Sequence, residues 1–131
     1  MTRFLVVDDS PTIRMMLVAS IRQATGGPTP AEAADRAGAI EAFRQQQPEV
    51  VFLDLMLAQG EKGTDVLSDI LQERPDCKVV VVTALPRDHP EVMAAISHGA
   101  FGYLQKPARV SDLVKVLNSI DIEAGRLSRI R

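Results

Sequence analysis

The sequence has 131 residues, of which 46% are hydrophobic and 24% are charged, so it holds enough apolar material for one domain with one core. Its formal net charge of −2 gives no strong positive field for nucleic acid, and its one cysteine excludes an internal disulfide framework. Its longest apolar runs are far shorter than the roughly 20 residues of a membrane-spanning helix, and its acidic N-terminal segment is unlike a secretory signal. We therefore expect a cytoplasmic domain that neither inserts into a membrane nor binds nucleic acid directly.

Three short apolar runs predict the central strands of a parallel sheet. They are Phe4–Val7, Val50–Leu53 and residues 79–82. These runs are rich in β-branched residues and do not alternate with polar residues, which is typical of strands covered on both faces. Two further strands are expected at residues 28–33 and 101–105. The prolines of the 28–33 segment favour an edge position, because proline cannot donate a hydrogen bond to a neighbouring strand.

Apolar residues at helical spacing between the strands predict five helices. We expect Asp9 or Ser10 to cap the first helix, Asp35 the second and Ser111 the last. Strands that alternate with helices predict a parallel sheet with right-handed crossovers, which is an α/β, (βα)5 doubly wound three-layer sandwich. The first helix is expected to end at the glycines of residues 26–27 and the second before Pro48. The third should end at Pro75 and the fourth at Gly99.

Polar residues stand at the ends of four of these strands. Asp8 and Asp9 follow the first strand and Asp54 follows the third. Thr83 ends the fourth strand, and Lys106 follows the fifth. Because the carboxyl ends of parallel strands lie at one edge of the sheet, where open α/β sheets bind ligands, we expect these side chains to converge there.

The chemistry of this set of residues points to phosphate and a divalent cation. Three carboxylates placed together raise one another's pKa, and a cation relieves that repulsion. Ligands that are all oxygen favour Mg²⁺ over zinc, and Mg²⁺ commonly acts together with phosphate. A lysine adds a mobile point charge for a phosphoryl group, and a threonine adds a hydroxyl donor. This combination is typical of phosphoryl transfer to an aspartate.

The pattern of carboxylates does not by itself identify the nucleophile. Either member of the Asp8–Asp9 pair could act alone. Asp54 stands singly at the end of a buried run, which favours it as the phosphoacceptor.

Four short motifs lie at these strand ends: VVDDS at 6–10, FLDLM at 52–56, VTA at 82–84 and GAFGYLQKP at 99–107. In this order and spacing they resemble the response-regulator receiver domain of two-component signalling, particularly the chemotaxis-type regulators. The resemblance covers residues 3–122. It implies a flavodoxin-like fold with strand order 2-1-3-4-5, a receiver domain at residues 1–122, and a basic tail or the start of a linker at 123–131.

The resemblance implies a role for each acidic residue at this edge. Asp54 would accept the phosphoryl group, and Lys106 would bind one of its oxygens. Asp8, Asp9 and Asp54 would hold Mg²⁺. The backbone carbonyl of Met56 would be a further ligand of the same ion.

The resemblance also implies roles for residues of the last two strands. Thr83 and the backbone amide of Ala84 would bind other phosphoryl oxygens. The peptide bond between Lys106 and Pro107 would be cis. Tyr103 would be the switch aromatic, turning inward when Thr83 moves toward the phosphoryl group, which is a shift between two loop arrangements.

The function that the resemblance implies is a phosphorylation-activated signalling switch and not an enzyme with a separate substrate. A sensor histidine kinase or a phosphotransfer protein would donate the phosphoryl group. A downstream protein would bind the face formed by the fourth helix, the fifth strand and the fifth helix. Two alternatives are a phosphorylation-independent scaffold of the same fold and an aspartate-nucleophile phosphatase. The phosphatase normally needs a second Asp two residues after the nucleophile, where this sequence has Met56.

The sequence departs from the family pattern after the expected phosphoacceptor. Ala58 stands where the family often has proline, and the usual glycine comes one position later, at Gly63, so we expect a slightly longer loop at residues 59–62. Met56 and Leu85 occupy two positions that often help to orient the hydrolytic water. Because thioether and alkyl groups offer that water little to hold it, we expect a long-lived phosphoryl-aspartate.

Overall fold

Residues 2–123, which are described by a computed structural model, form alternating strands and helices. The strands are β1 (Phe4–Val7), β2 (Ala31–Ala33), β3 (Val50–Leu53), β4 (Lys78–Thr83) and β5 (Gly102–Gln105). The helices are α1 (Pro11–Thr25), α2 (Arg36–Gln46), α3 (Gly63–Glu73), α4 (Pro90–Ser97) and α5 (Val110–Glu123). A short 3-10 turn, Ala58–Gly60, lies between β3 and α3. Most of the predicted basic tail lies outside the described residues.

The five strands form one parallel sheet in the order β2-β1-β3-β4-β5, as predicted. The doubly wound α/β fold is therefore confirmed. β2 is an edge strand of three residues that begins only at Ala31, after the two prolines of the predicted segment. β4 is longer than its apolar run because Lys78 pairs with Val50 of β3 and Thr83 pairs with Gln105 of β5.

Helices cover both faces of the sheet, which explains why its strands are continuously apolar. Every residue of β1 and β3 is buried, and successive side chains point to opposite faces. On one face the buried helix residues come from α1 and α5: Leu17, Ile21, Ala24, Leu113, Leu117 and Ile120. On the other face they come from α2, α3 and α4: Ala39, Phe43, Val66, Leu67, Ile70, Val92 and Ala95.

The helix caps agree with the sequence in two places and differ in one. The Ser10 hydroxyl accepts the main-chain N–H of Ile13, and the Asp35 carboxylate caps α2. The prediction that Ser111 caps the last helix is wrong, because α5 begins one residue earlier, at Val110. Ser111 therefore lies inside the helix, and the Asp112 carboxylate of the first turn accepts the N–H of Arg109, the residue before the helix, at 3.1 Å.

None of the helices within residues 2–123 combines the length and the apolar composition needed to cross a lipid bilayer.

Candidate functional site

Three carboxylates meet at the carboxyl ends of β1 and β3. These strands are neighbours in the sheet, and the N–H of Asp54 donates to the carbonyl oxygen of Val7 at 3.0 Å. Asp8, Asp9 and Asp54 each place a carboxylate oxygen within 4.8 Å of the other two. Asp8 and Asp54 are buried, whereas Asp9 is exposed. The predicted acidic group is therefore assembled by the pairing of two adjacent strands.

Lys106 joins this group from the end of the edge strand β5. Its Nζ lies 2.6 Å from Asp8 Oδ2 and 2.9 Å from Asp54 Oδ2. Its backbone N–H donates to the carbonyl oxygen of Thr83, and its peptide bond to Pro107 is cis. One ammonium group thus bridges two buried carboxylates that lie 46 residues apart along the chain. The bridge leaves the side chain only 19% exposed.

The second oxygen of each buried carboxylate is held by the main chain. Asp8 Oδ1 accepts the N–H of Ser10 at 2.9 Å, and Asp54 Oδ1 accepts the N–H of Met56 at 3.1 Å. Both carboxylates are therefore fixed in orientation before any ligand binds. Fixed oxygens spaced this closely, with no nitrogen or sulfur ligand in the group, fit a hard divalent cation such as Mg²⁺.

Burial and charge act in opposite directions on the pKa values of this pair. Burial raises the pKa of Asp54 above its ordinary value, and the hydrogen bonds from Lys106 and the Met56 N–H only partly offset this. Burial lowers the pKa of Lys106, but hydrogen bonds to Asp8 and Asp54 outweigh it, so the net pKa is raised. The site therefore favours the charged form of Lys106, whereas burial makes the charged form of Asp54 less favourable than it would be in water.

Three further predicted residues, Thr83, Ala84 and Tyr103, lie on β4, just after β4 and on β5. Thr83 is buried at the end of β4, and its Oγ1 accepts the N–H of Leu85 at 3.3 Å. The ring of Tyr103 is partly buried, and its hydroxyl donates to the carbonyl oxygen of Leu85. The Arg87 guanidinium lies 5.8 Å from the centre of that ring. Ala84 is exposed, and its carbonyl oxygen accepts a hydrogen bond from the side chain of a β5 residue. The loop after β4 is thus attached to β5 by side chains that include the predicted switch tyrosine.

The sequence patterns did not predict the role of Arg14, which binds the backbone of Asp8. Its Nη1 donates to the Asp8 carbonyl oxygen at 2.7 Å, and its Nε donates to Glu32 of β2 at 3.2 Å. The arginine thus ties α1 to the end of β1 and to the edge strand. A cation in the second turn of a helix is common on solvated surfaces, so nothing in the sequence marks this one.

The loop after Asp54 is the second feature that the sequence reveals only in part. A slightly longer loop was expected at residues 59–62, and the structure has the 3-10 turn followed by an antiparallel bridge between Met56 and Lys62. Gly63 then packs so closely on Asp54 that a Cβ atom there would lie 2.2 Å from the Asp54 carbonyl oxygen. The sequence pattern predicts the position of this glycine but not its close contact with Asp54.

Comparison with known proteins agrees with this geometry. Residues 4–118 match the family model described as the response regulator receiver domain. The chemotaxis protein CheY of Thermotoga maritima is 31% identical over 118 residues, which are 90% of this chain and 96% of that protein. The receiver domain of NtrX from Brucella abortus superposes with a TM-score of 0.80 at 27% identity, over 89% of this chain and 96% of that one.

Larger proteins match over one part only. Protein-glutamate methylesterase/protein-glutamine glutaminase 2 of Xanthomonas campestris pv. campestris is 37% identical over 103 residues, which are 79% of this chain but 29% of that protein. The similarity to the methylesterase is therefore confined to a segment of receiver size. With the family match over nearly the whole described chain and the acidic edge beside Lys106, the chain belongs to the response regulator receiver domain family.

Proposed function

We propose that this chain is a phosphorylation-activated switch of a two-component system in the cytoplasm, with Asp54 as the phosphoacceptor. The observation that carries the proposal is the Lys106 ammonium, which lies within hydrogen-bond distance of Asp8 and Asp54 at the edge where Asp9 also lies. Membership in the receiver family supports it. The donor would be a sensor histidine kinase or a phosphotransfer protein.

The transfer step requires an ionised nucleophile and a charge that stabilises the moving phosphoryl group. A carboxylate oxygen of Asp54 forms a bond to phosphorus, while the bond from phosphorus to the donor's imidazole nitrogen breaks and its electron pair stays on that nitrogen. Lys106, already 2.9 Å from Asp54 Oδ2, then binds a phosphoryl oxygen. The chain catalyses its own modification in this way and needs no separate substrate.

Asp8, Asp9, Asp54 and the Met56 carbonyl would hold Mg²⁺ beside the reacting oxygen. That ion would supply positive charge to the phosphoryl oxygens. The residues fit this role, because three carboxylate oxygens lie within 4.8 Å of one another and two of the carboxylates are held in place by main-chain N–H groups.

The response to phosphorylation would pass through the loop after β4. The Thr83 hydroxyl and the Ala84 N–H would bind phosphoryl oxygens, and Thr83 Oγ1 now accepts the N–H of Leu85. Leu85 also accepts the Tyr103 hydroxyl, so movement of Thr83 would disturb the attachment of this tyrosine. A downstream protein would read the change on the α4–β5–α5 face.

That face already offers apolar surface to a partner. Met93 is 59% exposed and Ile96 is 38% exposed on α4. Exposed methionine is common on surfaces that adapt to a partner, because its side chain is flexible and polarisable. These features support the α4–β5–α5 face as the partner-binding surface of the switch.

Transfer from a panel of sensor kinases, and from acetyl phosphate with Mg²⁺, tests the chemistry. The wild-type protein is expected to gain one phosphoryl group, observed by intact-protein mass spectrometry, and Asp54→Asn is expected to gain none. Asp65→Asn, which changes an exposed carboxylate on α3, should be labelled like wild type. Labelling of Asp54→Asn at the wild-type rate would contradict the proposal. A wild-type protein inert to every donor would favour the phosphorylation-independent scaffold.

The lifetime of the phosphoryl-aspartate is a separate expectation. Met56 is 59% exposed beside the phosphoacceptor, and Leu85 is partly buried in the neighbouring loop. The double variant Met56→Asn, Leu85→Glu gives an attacking water polar partners and should speed phosphoryl loss by about tenfold or more. The decay of the phosphorylated species, followed by mass spectrometry after the donor is removed, measures this rate. Met93→Asn is the matched control, and rapid decay in wild type that the double variant does not accelerate contradicts the expectation.

A further inference from the structure

The loop of residues 56–62, which joins the phosphoacceptor to α3, is held at both ends by the main chain. Met56 donates to Asp54 Oδ1 at its start, and the Gly63 N–H donates to the carbonyl oxygen of Leu55 at 2.8 Å just after its end. Between these points an antiparallel bridge pairs Met56 with Lys62. The backbone that carries the Met56 carbonyl is therefore part of a small hairpin.

The tip of this hairpin has an unfavourable backbone conformation and few main-chain hydrogen bonds. Gln59 and Gly60 both adopt positive φ, at 61° and 75°, and left-handed backbone is unfavourable for a residue with a side chain. The main-chain bonds at the tip are the N–H of Leu57 to the Glu61 carbonyl oxygen and the N–H of Glu61 to the Ala58 carbonyl oxygen. A contact with another part of the protein therefore helps to hold a hairpin with such a tip in one conformation.

Glu61 provides that contact by reaching to the beginning of α2. Its Oε1 accepts the main-chain N–H of Arg36 at 3.0 Å. The first N–H groups of a helix have no partner within the helix, and a carboxylate there is also favoured by the helix dipole. The bond thus serves the helix and the loop together.

The start of α2 is in turn fixed to α3. The Arg36 guanidinium donates to both oxygens of Asp69, at 2.7 and 3.1 Å, and lies 3.7 Å from Asp65. Two parallel hydrogen bonds between a guanidinium and a carboxylate fix their relative orientation better than a single hydrogen bond does. At the other end of the same two helices, Arg44 and Glu73 form a second ion pair at 2.8 Å. Only the first of these two ties adjoins the loop that follows the phosphoacceptor.

We propose that Glu61 is a positioning residue for the metal and phosphoacceptor site. By holding the hairpin against the start of α2, it fixes the Met56 backbone, whose N–H binds Asp54 and whose carbonyl would bind Mg²⁺. The inference rests on the proposed function, because it takes the Met56 carbonyl as a ligand of the ion. Glu61 itself is outside the cluster of carboxylates, Asp8, Asp9 and Asp54, that could share one ion.

Three variants test this role: Glu61→Ala removes the contact, Glu61→Gln keeps an accepting oxygen, and Arg44→Ala breaks the α2–α3 tie remote from the loop. Amide hydrogen exchange in metal-free buffer reports on residues 56–63, and calorimetric titration with magnesium chloride gives the dissociation constant. For Glu61→Ala we expect several-fold faster exchange in the loop and a dissociation constant raised about tenfold. Glu61→Gln should stay close to wild type, and Arg44→Ala should leave both measurements unchanged.

Two results would overturn the positioning role. One is unchanged exchange at residues 56–63 in Glu61→Ala, and the other is faster exchange accompanied by a wild-type dissociation constant. A wild-type protein that binds no Mg²⁺ and accepts no phosphoryl group from acetyl phosphate would overturn both this inference and the proposed function. This outcome is distinguishable from the two outcomes in Glu61→Ala because it is observed in the wild-type protein.

Discussion

Replacing Lys106 with methionine is expected to lower the free energy of unfolding by about 3 kcal/mol in magnesium-free buffer at neutral pH. Methionine keeps most of the length of the side chain and its apolar part, but it removes the charge that lies 2.6 Å from Asp8 and 2.9 Å from Asp54. Two buried carboxylates are then left facing each other without a counter-charge. Urea denaturation of the two proteins measures the difference.

The deficit should depend on pH in a defined direction. Burial already raises the pKa of Asp54, and the neighbouring Lys106 lowers it. Removing the lysine therefore raises the pKa of Asp54 further. A carboxyl whose pKa is raised in the folded state favours folding below its unfolded value of about 3.9, and this contribution is lost as the pH rises through the folded pKa. The deficit is therefore expected to be small in acid and to grow toward neutral pH.

Magnesium should reduce the same deficit, because an ion bound to the native carboxylates replaces the missing charge and stabilises the folded state by mass action. Lys115→Met, at an exposed position of α5, is the matched control and should lose little stability. A deficit in Lys106→Met that changes with neither pH nor magnesium would show that Lys106 acts through packing alone.

Gly63→Ala should lower the stability of the protein as much as Lys106→Met does, but through a steric clash. A Cβ atom at this position would lie 2.2 Å from the Asp54 carbonyl oxygen and 2.5 Å from the Leu55 Cα, and neither of these backbone atoms can rotate away. The end of β3 must shift, which we expect to lower the free energy of unfolding by about 3 kcal/mol and to weaken Mg²⁺ binding. Thermal unfolding and magnesium titration measure the two effects.

The matched control for this substitution lies three residues earlier. Gly60 has a φ of 75°, and nothing lies within 4 Å of the Cβ atom that alanine would add there. Gly60→Ala should therefore cost only the strain of left-handed backbone, about 1 kcal/mol. If Gly63→Ala proved no worse than Gly60→Ala, the close contact with Asp54 would have no energetic weight.

Sequence patterns predicted the fold well because the sheet is buried on both faces. Continuous apolar runs such as Val50–Leu53 are then required, and the parallel order brings every strand end to one edge. The same argument predicted that Asp8, Asp9 and Asp54 would meet, and one carboxylate oxygen of each lies within 4.8 Å of the other two. These features follow from topology alone and do not depend on the rotamer of any one side chain.

Features that depend on side-chain reach between distant segments were not predictable. Arg14 binding to the Asp8 carbonyl oxygen, and Glu61 binding to the Arg36 N–H, both join residues whose approach is set by the tertiary structure. The predicted start of α5 was wrong for a related reason, since Ser111 lies inside the helix and Asp112 accepts the N–H of Arg109 just before it. Local propensity is weak wherever several polar residues can satisfy the same backbone group.

Lys106 supplies a positive charge to the acidic edge from within the chain. Its ammonium is an internal counterion for Asp8 and Asp54, so a nascent chain can assemble this edge before it meets a metal. A chelator should accordingly leave the protein folded, unlike small domains whose folding depends on a structural metal. A divalent cation bound by these carboxylates would have to compete with this tethered amine, which would weaken its binding.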